Sequence, residues 1–177
     1  MTHNEFQKTV DIVGLKALVL TGISADDLLS NPYRVVFKDG YVEFYNENNK
    51  LDSYNDLPAI IFSSGAKLWY KNGLRQRDGD MPAVIYADGE KQWWKNGKRH
   101  RDGDEPAVIW ADGTRLWYKN RNFHRDGDLP AIIFSSGAKL WYKNGKKHRD
   151  GNGPAVIYAN GTKQWWKNGE FIKEASK

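Results

Sequence analysis

The chain has 177 residues, 40% of them hydrophobic, no cysteine, and a net charge of +5. That length suits one modest core, and the missing thiols exclude a disulfide framework or a thiolate metal site. There is no apolar leader with a basic flank and no run approaching about 18 apolar residues, so a soluble, cytoplasmic protein is expected.

Residues 1–32 differ from the rest and are expected to form a short helical N-terminal cap. Thr2 and Glu5 have capping-box spacing, and Phe6, Val10 and Val13 follow at helical intervals up to Gly14. Ser24 to Asp27 can open a second short helix burying Leu28 and Leu29, which Asn31-Pro32 stops. Residues 33–56 read as a degenerate first repeat: Val35 to Gly40 matches half of the unit described next, and Phe44-Tyr45 stands for its aromatic pair.

Residues 57–177 hold five copies of a 24-residue unit, opened by Pro58, Pro82, Pro106, Pro130 and Pro154. Such a unit cannot bury its apolar face alone and must stack on its neighbours. Residues 56–73 are identical to 128–145, three units on, as duplication of a block would leave them. The expected fold class is all-β: an elongated antiparallel meander of stacked β-hairpins. Charge is divided unevenly. Residues 1–56 carry five Lys/Arg and nine Asp/Glu, whereas 57–177 carry 22 and 13, with all eight tryptophans.

Within the second unit, Asp88-Gly89 lies between two runs rich in β-branched and aromatic residues, the strongest short-range hairpin signal. A two-residue type I′ turn there would set Tyr86 opposite Lys91 and Val84 opposite Trp93, with Ile85, Gln92 and Trp94 on the other face. Neither face is then plainly the solvent side. Asn96-Gly97 marks another turn. In the third unit Arg121 replaces that glycine, and since a left-handed non-glycine residue costs about 1–2 kcal/mol, a different turn is expected at Asn120-Arg121.

Three groups of residues are candidates for binding. His100, His124 and His148 recur at the unit spacing, each followed by Arg101, Arg125 or Arg149 and then Asp-Gly. The letters match a kinase catalytic loop, but the downstream Asn, Gly-rich loop and Lys-bearing strand are lacking. The simpler reading is an Asp-Gly turn with local Arg–Asp pairing, and neither catalysis nor a metal site is expected. Trp69, Trp93, Trp117, Trp141 and Trp165 form a ladder. Its default role is the contact on which units stack; exposed beside Lys91 and Lys95, it would instead stack nucleic-acid bases.

The run from Tyr86 to His100, Tyr-Ala-Asp-Gly…Trp-Lys-Asn-Gly-Lys-Arg-His, resembles the membrane occupation and recognition nexus (MORN) repeat. The likeness spans about residues 57–173, and Trp94, Tyr70, Tyr118, Tyr142 and Trp166 hold the matching aromatic position. The period is one residue longer than the MORN period, and Arg-Asp-Gly follows histidine where MORN units place glycine. The fuller wording is closer to MORN-like repeats in uncharacterised proteins of bacteriophages and large DNA viruses. The resemblance implies consecutive hairpins in one long twisted sheet, acting as a non-enzymatic scaffold without cofactor. It also implies a phage or viral accessory factor that inhibits or redirects a host component. A protein is the first expected partner. Nucleic acid is the alternative on charge grounds, anionic membrane ranks last, and self-association through unpaired sheet edges is a further expectation.

Overall fold

Each repeat folds as two unequal hairpins, and this division shapes the whole molecule. The computed structural model describes residues 34–176, so the expected helical cap over 1–32 lies outside the described residues. The described part is all β, with 21 strands. Thirteen of them form one antiparallel sheet in which each strand pairs only with its sequence neighbours within that sheet, and the other eight pair as four two-stranded ribbons. Among the described residues no helix is long and apolar enough to cross a membrane.

In the second unit the first hairpin pairs strands Val84–Ile85 and Lys91–Gln92, with Val84 opposite Gln92 and Ile85 opposite Lys91. This corrects the expected register by one residue. The turn is not type I′: Gly89 N–H donates to Tyr86 O at 3.1 Å and Tyr86 N–H to Glu90 O at 2.9 Å, enclosing a three-residue loop. Gly89 alone takes a left-handed φ, 95°, and Asp88 Oδ1 accepts the Glu90 N–H at 2.9 Å. An Asx-stabilised turn followed by one left-handed glycine is the three-residue alternative to the I′ loop. The extra residue moves Trp93 out of opposition with Val84 and puts Gln92 there.

The I′ turn lies in the second hairpin. Lys95 faces Lys98 across Asn96-Gly97, whose φ values are 50° and 69°. At Asn120-Arg121 the values are 51° and 72°, so the expectation of a different turn there is wrong. The ribbon register of Lys119 opposite Asn122 admits only a two-residue loop, and Phe123 is held between the rings of Tyr118 and Tyr142, at 4.6 and 5.3 Å. Packing therefore overrides the backbone preference of arginine. The junction there is looser. Elsewhere the turn asparagine N–H donates to the preceding unit, as Asn96 to Gln76 Oε1, Asn144 to His124 Nδ1 and Asn168 to His148 Nδ1. The glycine N–H donates likewise, Gly97 to Arg75 O and Gly145 to Phe123 O. Neither bond forms at Asn120-Arg121. A Cβ at the equivalent Gly145 would sit 3.1 Å from Asn122 Oδ1 of the preceding ribbon, but at Gly73 and Gly169 the nearest contacts are an ordinary 3.6 and 3.7 Å, and nothing in the structure explains the two missing bonds.

Both faces of the sheet are partly covered. On one, the cross-strand row Ile60, Leu68, Val84, Gln92, Val108, Leu116, Ile132, Leu140 and Val156 runs unbroken. The ribbons fold over it, bringing Tyr70, Trp94, Tyr118, Phe123 and Tyr142 onto the buried aliphatics. On the other face Trp93 N–H bonds to Ala107 O, and the same bond joins Trp69 to Ala83, Trp117 to Ala131 and Trp141 to Ala155. Alanine leaves room beside each indole.

The degenerate unit pairs Arg34–Lys38 with Tyr41–Tyr45 and joins the sheet through Val42 opposite Ile61. At the far end, the strand Glu170–Ala175 takes the place that the next unit's Ala-Val-Ile would fill. Ala175 faces Lys163, Glu174 faces Gln164 and Lys173 faces Trp165, as Ile157 and Val156 face Lys139 and Leu140 one unit earlier. Lys173 and Glu174 thus stand where the Ala and Val of a repeat unit stand elsewhere, and Ala175 where its Ile stands.

Replacing Arg121 by glycine is expected to raise the unfolding free energy by about 1–2 kcal/mol. Urea denaturation monitored by tryptophan fluorescence measures this, and an unchanged or lower midpoint would contradict the strain assigned to this turn.

Candidate binding surface

The loops that join one unit to the next form a chain of hooks over the tryptophan ladder. Each loop carries an arginine that reaches back to the previous loop and an aspartate that receives the next arginine. Arg101 binds Asp80 through Nε and Nη2 at 2.7 and 2.6 Å. Arg77 binds Asp56, Arg125 binds Asp104 and Arg149 binds Asp128 in the same two-pronged way. The expected pairing of each arginine with its neighbouring aspartate is therefore corrected: the partner lies 21 residues back.

Between hook and sheet sits the indole. Trp93 Nε1 donates to Asp80 O at 3.2 Å, so one aspartate holds the ring with its carbonyl and the guanidinium with its carboxylate. Trp69, Trp117, Trp141 and Trp165 make the equivalent bond to Asp56, Asp104, Asp128 and Asn152. The guanidinium lies over the ring at 3.9 to 4.2 Å in the four arginine-bearing units. In the last unit both partners change together: Asn152 replaces the aspartate, and Lys173 stands 4.7 Å over Trp165. Trp69, Trp93, Trp117 and Trp141 are only 4–7% exposed. They are interior side chains, roofed by arginine, and offer no free face for a base. Trp165 is half-buried at the array's end.

The histidines serve the same junctions. His124 Nε2 meets Asp126 Oδ1 at 2.9 Å while its Nδ1 accepts the Asn144 N–H of the next unit at 3.1 Å. Both bonds are satisfied together by the imidazole with its proton on Nε2. His148 repeats the arrangement with Asp150 and Asn168. His100 keeps its bond to Asp102, but faces the Arg121 junction and is 36% exposed, against 10% for the other two side chains. The same aspartates take a lysine: Lys95 with Asp102, Lys119 with Asp126, Lys143 with Asp150. Hydrogen bonds from Lys119 and then His124 lower Asp126 to about 2. Lys95 and His100 lower Asp102, and Lys143 and His148 lower Asp150. Among the described residues no group of three His, Cys, Asp or Glu converges as a metal site would require.

Grooves open between successive loops rather than in one place. One of about 680 Å³ lies beside Asp52, Trp69 and Arg77, and others of about 240, 450 and 120 Å³ recur at the later junctions. Their lining is the same Arg, Asp, Lys and Trp set each time, with histidine at the later ones. The ribbons carry a second stack on the opposite face, in which Arg75 and Arg99 flank Trp94 at 4.6 and 5.2 Å and Lys147 covers Trp166 at 4.4 Å. Tyr86, Trp110 and Tyr158, near the hairpin turns, are each 39–40% exposed.

One constellation is absent from the sequence reading. Ile61, Lys67, Ile85, Lys91, Ile109, Arg115, Ile133, Lys139, Ile157 and Lys163 face each other in turn across the sheet. The five cations are exposed, and among the described residues their side chains form no ion pair or hydrogen bond. A basic residue two places before every ladder tryptophan was the available signal, and the misplaced register hid it. Comparison of the chain with family models, curated proteins and solved structures returns no match.

Trp117→Ala should cost about 3–5 kcal/mol, the usual loss for a buried aromatic, and an unchanged thermal midpoint would rule out the interior role. Acid should also weaken the array. A carboxylate held below its unfolded value stabilises the fold fully above that value and loses the contribution as pH falls through the folded one. The loss is expected from about pH 4 down to about 2, where Asp126 titrates. Thermal midpoints that do not move across that interval would contradict the loop pairings.

Proposed function

We propose that the chain is a non-enzymatic β-hairpin repeat scaffold that offers one elongated, regularly patterned surface to a protein partner. The observation that carries this reading is the repetition of the same exposed side chains, unit after unit, across one continuous sheet. Ladders join strands only within a unit or to the adjoining one, so among the described residues no central cleft gathers groups from distant parts of the chain. The loop histidines, arginines and aspartates are engaged in junction contacts repeated along the array, which favours a structural role for each. Half-exposed Tyr86, Trp110 and Tyr158 add the amphipathic rings that protein interfaces favour.

The resemblance to MORN-like repeats of phages and large DNA viruses extends the proposal. In that setting the partner is a host component in the cytoplasm, and occupation of its surface inhibits or redirects it. The second reading, a nucleic-acid-binding module, is favoured by the five cations that have no ion-pair partner among the described residues. It is weakened by the burial of the ladder tryptophans, which removes the rings best placed for base stacking.

Isolation of the full chain from a cytoplasmic extract, with and without nuclease, separates the two. The expected result is a stoichiometric complex with one protein that survives nuclease. Recovery of nucleic acid alone, with a log–log salt slope near −0.7 × 5, or about −3.5, would overturn the protein reading.

A further inference from the structure

Among the described residues, the alternating isoleucine–cation row differs from the loop and ribbon cations that aspartates hold, and each of its cations faces an isoleucine across the sheet. The loop arginines, and the lysine after each ribbon aromatic from Lys71 to Lys143, are held by aspartates. Among the described residues Lys67, Lys91, Arg115, Lys139 and Lys163 have no such partner. Cations kept only for solubility need no apolar residue between them, yet Ile85, Ile109, Ile133 and Ile157 are partly exposed at every interval. Strands lie about 4.8 Å apart, so the cations recur at about 9.6 Å with an isoleucine midway.

The strip is also narrow. Exposed Asp88 and Asp112 stand at the hairpin turns on one side, and the aspartate-bearing loops run along the other. The loop carboxylates are already held by arginine or lysine, so the choice of occupant rests on the row itself, where an isoleucine separates each cation from the next. Isoleucine offers nothing to a phosphodiester backbone. A single polypeptide segment with acidic and apolar residues on one face meets both features of the row. Two turns of an α-helix advance about 10.5 Å, close to the spacing of the cations. Carboxylates seven residues apart then meet successive cations, and an apolar residue three or four positions on meets the isoleucine between. Sheet twist of about 20° per strand limits a straight helix to a few cations at a time.

We infer that the row centred on Lys91, Arg115 and Lys139 is the docking site for an acidic amphipathic helix of the partner. The inference rests on the scaffold reading and names the chemistry of its contact. The test uses the full chain and a labelled synthetic four-heptad helix with glutamate and leucine at alternating three- and four-residue intervals. Fluorescence anisotropy should detect binding that weakens with salt. The triple variant Lys91→Glu, Arg115→Glu, Lys139→Glu should lose at least about tenfold in affinity, the sum expected of three modest exposed pairs. The control Lys50→Glu, Lys98→Glu, Lys146→Glu changes net charge equally on the ribbon side and should bind within about twofold of the parent, because general charge effects at this salt are screened. If the charge-reversed row does not fold, the same three positions changed to glutamine give the same ordering.

Equal losses in both triples, or no binding of the peptide, would overturn the docking site. So would row-dependent binding of a twenty-nucleotide oligothymidine or of phosphatidylserine vesicles in place of the peptide. Taking the row variant through the complex isolation keeps the two proposals apart. A protein complex that survives the triple substitution overturns the row and leaves the scaffold standing, whereas a parent chain that captures no protein removes both.

Discussion

The contact on which the array depends is the three-way clamp of tryptophan, aspartate and arginine at each junction. A 24-residue unit is far below the size that sustains a core of its own. What it lacks is supplied by the loop on either side. The indole N–H is satisfied by the aspartate carbonyl, the carboxylate fixes the guanidinium, and the guanidinium closes the ring from above. An exposed ion pair alone contributes at most about 1 kcal/mol. Here its geometry matters more than its charge, because it holds a large aromatic surface shut. The loops bearing Arg77, Arg101 and Arg125 are each both hook and eye, so cohesion passes from one unit to the adjoining one.

The two small hairpins of a unit divide the work of covering the sheet. The ribbon shields one face and the loop shields the other, which is why neither face could be recognised as the solvent side. Only the outer band, with its isoleucines and cations, stays open. The last unit departs from the division. Where Glu170–Ala175 pairs with it, the strand Lys163–Lys167 runs straight through into its ribbon, and a register shift at Trp165/Trp166 replaces the break seen at Trp93. In the other four units the break falls where the tryptophan N–H bonds to the alanine carbonyl of the next unit.

Much of this was legible in the residues, and the gaps have identifiable causes. The period, the hairpin class, the meander and the interior role of Trp93 follow from repetition and aromatic placement. The register did not, because Asp-Gly serves both a two-residue turn and a three-residue one, and only the Tyr86–Glu90 bond decides between them. That single residue reversed the side on which Lys91 was placed, and with it the view of the open band. The arginine partner was missed for a different reason. Asp102 is adjacent to Arg101 in sequence, whereas Asp80 becomes its neighbour only once two loops are stacked. At Arg121 a correct propensity argument lost to packing, since Phe123 between two tyrosine rings fixes the ribbon whatever its turn prefers.

The closing strand Glu170–Ala175 bears on how such a chain changes over time. It docks on the final unit through the same edge that every unit presents, and its lysine substitutes for the missing arginine. Because every unit presents that same edge, a block of units can be inserted without disturbing its neighbours, and the identity of residues 56–73 and 128–145 fits such a duplication. The molecule is graduated like a ruler. Its tick marks are the cations, and each whole-unit gain extends the scale by about 9.6 Å.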